Sequence, residues 1–85
     1  MTPSAPPVKR SVTIAGHETS IALEPVFWHA LEQAATERKL PLNALIARID
    51  AGRLNQSPPA NLASAIRQWL FLEALRSGGE NGRGE

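Results

Sequence analysis

The sequence contains no cysteine, so neither disulfides nor thiolate metal sites can stabilise it. That absence is compatible with a reducing cytoplasm. It also has no apolar run of about 18 residues, the length a membrane-spanning helix requires. Its start lacks the apolar stretch of a secretory signal, so a soluble, cytoplasmic protein is expected, with no membrane partner. An excess of charge is missing too: nine Lys+Arg face eight Asp+Glu, a net charge of +1. This excludes nucleic-acid binding by bulk electrostatics and leaves any such role to local clusters such as Lys9-Arg10 and Arg38-Lys39. There is no internal repeat.

The two ends are poor in core material. Residues 1–7 read MTPSAPP, and residues 77–85 read SGGENGRGE without a large apolar side chain. The expected organisation is a disordered tail over 1–9, one folded domain over 10–76 and a second disordered tail over 77–85. A folded part of about 65–70 residues has a marginal core as a monomer, and oligomerisation can supply the missing burial.

Chemistry-bearing constellations are sparse. Ser20 has no base at a recognisable spacing, which argues against an enzyme. His17 has no metal-ligand spacing around it, and His29 with Glu32 makes only two groups at i, i+3. No metal and no cofactor is expected.

The informative stretch is Thr19 to Phe27, which changes period in its middle. Thr19, Ile21 and Leu23 alternate with Ser20 and Ala22, the strand period of two. From Phe27 the apolar residues Leu31, Ala34 and Ala35 follow helical spacing, with Trp28 off the centre of the stripe. Glu24-Pro25 joins the two, since Pro suits the first helical position and Glu24 sets a negative charge at the positive end of the helix dipole. The strand needs a partner for its backbone. One candidate is the upstream run Arg10–Ile14, and the other is the same strand in a second chain. Ala15 to Glu18 fits a hairpin loop between the two runs, with a single strand bent at a Gly bulge as the competing reading.

The first helix is expected over Pro25–Arg38 and ends before Leu40-Pro41. A second should start near Pro41 and run to about Ala51, with Leu42, Leu45, Ile46 and Ile49 as its stripe and Gly52 as its C-cap. Leu54 to Ala60, with Pro58-Pro59, reads as a loop. Asn61 caps a third helix over Leu62–Arg76, whose apolar residues spread round much of its circumference, a pattern of burial between partners. Arg67, mid-helix among apolar neighbours, is expected to pair with an acid of a partner chain.

Strand, helix, break, helix resembles the ribbon-helix-helix superfamily of the Arc/MetJ type, and in particular its small bacterial domain proteins. The resemblance rests on Arg10–Ile14, Gly16-His17, Thr19-Ser20-Ile21, Leu23-Glu24, Phe27-Trp28, Leu31, Leu42–Ile46, Ile49-Asp50 and Asn61–Arg67. It implies a mainly α fold with a short β-ribbon, built as an intertwined homodimer, here with a third C-terminal helix added. It further implies a transcriptional regulator whose intermolecular ribbon reads the major groove. Base contacts then fall to Glu18, Ser20 and Ala22, and phosphate contacts to Lys9, Arg10, Leu42 and Asn43. The dimer interface falls to Thr19, Ile21, Leu23, Phe27, Leu31, Leu45, Ile46, Ile49, Ile66 and Trp69. A dimer of dimers is compatible with this pattern.

A second function class stands beside the first, a ribbon-helix-helix dimer that binds another protein and no DNA. Glu18 repels phosphates, Ala22 offers only a methyl contact, and Pro41 lacks an amide for a phosphate. Four strands side by side span roughly 14 Å against a major groove about 12 Å wide.

Overall fold

The computed structural model describes residues 5–55 and 61–83, with side chains through residue 78. The element order is β1 (Val8–Ile14), β2 (His17–Leu23), α1 (Pro25–Glu37), α2 (Leu42–Leu54) and α3 (Leu62–Arg83).

The strand beside β2 is β1 of the same chain, antiparallel, in the register Val8↔Leu23 to Ile14↔His17. The hairpin reading therefore holds, with a loop of two residues in place of four. Ala15 (φ 53°) and Gly16 (φ 80°) both sit at positive φ, the mark of a type I′ turn. Such a turn matches the right-handed twist of the strands it joins. Alternation then separates two faces. Val12, Ile21 and Leu23 are buried on one, and Lys9, Ser11, Thr13, Glu18 and Ser20 are exposed on the other. Val8 and Lys9, expected in a tail, belong to the strand.

The carbonyl of Glu24 accepts the amides of Phe27 (2.9 Å) and Trp28 (3.1 Å), and Pro25 follows as the first helical residue. α1 buries Trp28, Leu31, Ala34 and Ala35. Here the expected stripe is corrected by one residue: Trp28 is inside and Phe27 is half-buried. Positions 28, 31 and 35 are as helical as 27, 31 and 34, and Trp28 gains a partner for its ring N–H. Nε1 donates to the Val8 carbonyl at 2.8 Å, which ties α1 to the start of β1.

α1 stops in a Schellman motif. Lys39 donates to the Thr36 carbonyl (3.0 Å) and Leu40 to that of Ala35 (2.9 Å), with Lys39 in the left-handed region at φ 57°. Leu40 packs on the core, as the motif favours.

Pro41 is the N-cap of α2, one residue before its expected start role. Leu45, Ile46 and Ile49 are buried as their spacing required. Gly52 does not end the helix, which continues to Leu54; its backbone stays helical, since Gly16 is the positive-φ glycine among the described residues. Of the expected loop Leu54–Ala60, Leu54 is helical, Asn55 is a turn, and residues 56–60, with Pro58 and Pro59, lie outside the described residues.

Asn61 caps α3 as its position suggested, its Oδ1 accepting the Ser64 amide at 2.8 Å. The helix passes the expected end at Arg76 and reaches Arg83, so residues 77–83, assigned to a tail by composition, are helical.

Both strands and all three helices contribute to one core. Leu23, Leu31, Leu45, Ile46 and Ile66 are fully buried within a single chain, and Ile21 and Ile49 nearly so. These residues were expected to face a second chain, but here their partners are in their own. One hairpin and three helices close over them, which the helical stripes alone do not distinguish from closure by a partner. Phe27 and Trp69 are partly buried against the same core, and Thr19 lies at its edge.

Candidate nucleic-acid interface

The face of the hairpin turned away from the core is built by register. Across the two strands it pairs Lys9 with Ala22, Ser11 with Ser20 and Thr13 with Glu18. Five of the six are exposed and Ala22 is half-buried. All but Lys9 and Glu18 are short, and none of the six is a large apolar residue. The result is a narrow polar ribbon whose backbone spans about 5 Å between strands, well inside a major groove about 12 Å wide.

Glu18, Ser20 and Ala22 stand where alternation put them, on this outward face. Ser11 and Thr13 stand opposite Ser20 and Glu18 and complete the face. The signal was available, since both alternate with Val12, but only the register sets them beside Ser20 and Glu18.

The two basic residues next to the ribbon part company. Lys9 is exposed on the outward face. Arg10 is on the inward side, paired with Ile21 in register. Its guanidinium lies 4.4 Å above the Trp28 ring, and Nη1 is 3.0 Å from Oε2 of Glu32. Arg10 thus clamps the hairpin to α1, on the side away from Lys9.

At the start of α2, the Pro41 carbonyl accepts the amides of Ala44 (3.0 Å) and Leu45 (3.2 Å). The amides of Leu42 and Asn43 precede the helical ladder and point out of the helix end. Asn43 is exposed and Leu42 half-buried against the core.

Most other cations are held by acids of the same chain. Arg67 reaches Oε1 of Glu24 at 3.0 Å and stands 5.7 Å over the Phe27 ring, so its partner is intramolecular and not the partner-chain acid expected. Arg38 reaches Glu73 at 2.6 Å and covers Trp69 at 4.9 Å. Arg76 meets the same Glu73 at 2.7 Å, and Arg53 meets Asp50 at 2.7 Å. Among the described residues, Lys9, Lys39 and Arg48 are exposed and make no ion pair. Glu24 titrates below the usual carboxylate range, first through its own backbone amide and then, against the cost of desolvation, through Arg67. Glu73 is lowered first by its hydrogen bond from Arg76, with Arg38 adding to it.

Among the described residues no group of three His, Cys, Asp or Glu side chains could hold a metal ion. No helix among them is long and apolar enough to cross a membrane.

A protein-family profile described as a ribbon-helix-helix domain matches residues 7–74, from just before β1 into α3. Comparison with curated proteins and with solved structures finds no match.

Proposed function

Because the chain belongs to the ribbon-helix-helix domain family, we propose that it is a DNA-binding transcriptional regulator that acts as a cytoplasmic homodimer and reads the major groove with the outward face of its β-ribbon. The observation that carries this reading is that face itself: a two-stranded ribbon, narrow enough for the groove, presenting Lys9, Ser11, Thr13, Glu18, Ser20 and Ala22 away from the core. Ser20, Ser11 and Thr13 can donate to or accept from base edges. Glu18 can accept from a cytosine amino group, and the Ala22 methyl can touch a thymine methyl. Lys9 supplies a phosphate contact at the ribbon's edge, and the free amides of Leu42 and Asn43 supply a second, of the helix N-terminal kind. No catalytic role is assigned.

A single ribbon per half-site suits the hairpin. In this reading each protomer brings its own two-stranded ribbon, in place of one ribbon shared between two chains. The test is selection of bound duplexes from random DNA at two salt concentrations. An enriched sequence whose affinity falls with salt is expected, and no enrichment with no duplex affinity at low salt overturns the reading.

The second reading, a protein-interaction module without DNA binding, is favoured by one observation. Arg10, Arg38, Arg53, Arg67 and Arg76 are each engaged by an acid of the same chain. On the ribbon face Lys9 is then balanced by Glu18, which leaves little positive potential to attract a duplex.

A further inference from the structure

α2 and α3 leave an open groove of about 480 Å³ between them. Leu45 and Ile49 of α2 and Trp69 and Leu72 of α3 give it apolar walls. The lining is also cationic: Arg38, Arg48 and Arg53 stand there against one carboxylate, Glu73. That carboxylate is already taken, by Arg38 at 2.6 Å and by Arg76 at 2.7 Å, and Arg53 is held by Asp50 at 2.7 Å. Arg48 is exposed and makes no ion pair among the described residues. Gly52 lines the same groove. It is helical, and a Cβ on it meets nothing within 4 Å, so neither its backbone conformation nor close packing within the chain calls for glycine. Its bare backbone leaves the groove open.

We infer that this groove binds a small amphipathic monocarboxylate, its apolar body against Leu45, Ile49, Trp69 and Leu72 and its carboxylate on Arg48. The ligand class follows from the lining. Apolar walls favour a hydrocarbon body in proportion to the area it buries. The volume falls within the range of about 300–1,000 Å³ usual for small-molecule sites. Three guanidiniums against one carboxylate favour an anion over a neutral or cationic ligand. One guanidinium without an acid of its own matches a single negative charge, and its planar fork suits a carboxylate through two parallel N–H donors. Two such grooves face to face repel, which argues against a second copy as the occupant. No residue of the ribbon lines the groove, so the site stands whether or not the ribbon reads DNA.

The experiment is calorimetric titration of the full chain with decanoate, below the concentration at which it forms micelles, and with decylamine as the cationic counterpart. Saturable decanoate binding, about tenfold or more tighter than that of decylamine, is expected. No saturable binding, or equal binding of the two, overturns the proposal. Arg48→Gln removes the charge of an exposed side chain and is expected to weaken decanoate by about tenfold or more, the worth of a hydrogen bond to a charged group. Gly52→Leu puts a good helix former in place of a poor one and fills the groove. It is expected to abolish decanoate binding with the helical circular dichroism retained. Unchanged decanoate affinity in either variant overturns the placement. Sedimentation of the parent with and without decanoate tests the rival occupant: an unchanged state supports the proposal, and a dimer that decanoate dissociates assigns the groove to a second copy and overturns it.

Discussion

Lys39 occupies a backbone position that its side chain does not suit. At φ 57° its Cβ crowds the following carbonyl, and the Schellman motif that holds it there normally takes glycine. The left-handed conformation costs an L-residue about 1–2 kcal/mol, and glycine's extra backbone entropy offsets part of any gain. Lys39→Gly is expected to stabilise the fold by about 0.5–1 kcal/mol, read as a higher urea midpoint at unchanged slope. The side chain at residue 18 belongs to recognition instead. If the outward face meets DNA, Glu18→Arg exchanges a repulsive charge for a phosphate or guanine partner. Duplex affinity is expected to rise, and the salt slope to steepen by about one to two units per dimer. Ser20→Ala is expected to weaken binding at particular base pairs by about 1–3 kcal/mol and leave non-specific binding nearly intact. Negligible duplex affinity in both the parent and Glu18→Arg would remove the ribbon as a DNA reader.

At the scale of elements, much was legible and the misses have physical reasons. The switch from period two to helical spacing at Glu24-Pro25 marks the β2–α1 junction, and Asn61 caps α3 as read. Alternation assigned Glu18 and Ser20 to one face and Ile21 to the other. Phe27 and Trp28, by contrast, are neighbours on the wheel, and Trp28, the ring inside, is the one whose N–H has a partner in the Val8 carbonyl. Gly52 permits a helix end but does not force one. Strand partners were the hardest to read, because the hydrogen-bonding edge is backbone and carries no residue signature. The strand pattern alone therefore does not choose between β1 and a second copy, and an apolar stripe buried in its own chain has the same spacing as one buried against a partner. Leu31 tests the core as it stands. It is fully buried in α1, so Leu31→Ala is expected to cost about 2–5 kcal/mol. An unchanged melting midpoint at equal protein concentration would put the residue outside the core.

For the whole molecule, two carboxylates tie α3 to distant parts of the chain: Glu24 before α1, through Arg67, and Glu73, through Arg38 at the end of α1. Both titrate below their ordinary value of 4.5 in the folded state. A lowered folded pKa means that the unfolded chain takes up protons first as pH falls. The stability from these groups is thus complete above 4.5 and is lost as pH drops below it through the folded values. Urea midpoints are expected to be level from pH 7 to 5 and to fall toward pH 3. The fall is expected to be shallower in Glu24→Gln with Glu73→Gln, and an equal fall in that variant would place the acid sensitivity elsewhere.

The two-residue turn at Ala15-Gly16 also fixes the molecularity of folding. A ribbon shared between chains cannot form until two chains meet, so its appearance follows second-order kinetics. A hairpin closes within one chain, an event of roughly 1–10 μs for isolated hairpins. Strand pairing here is therefore first order, and its refolding rate is expected to be independent of protein concentration, with any concentration-dependent phase arriving later. A newly made chain can hold a finished ribbon without a second copy.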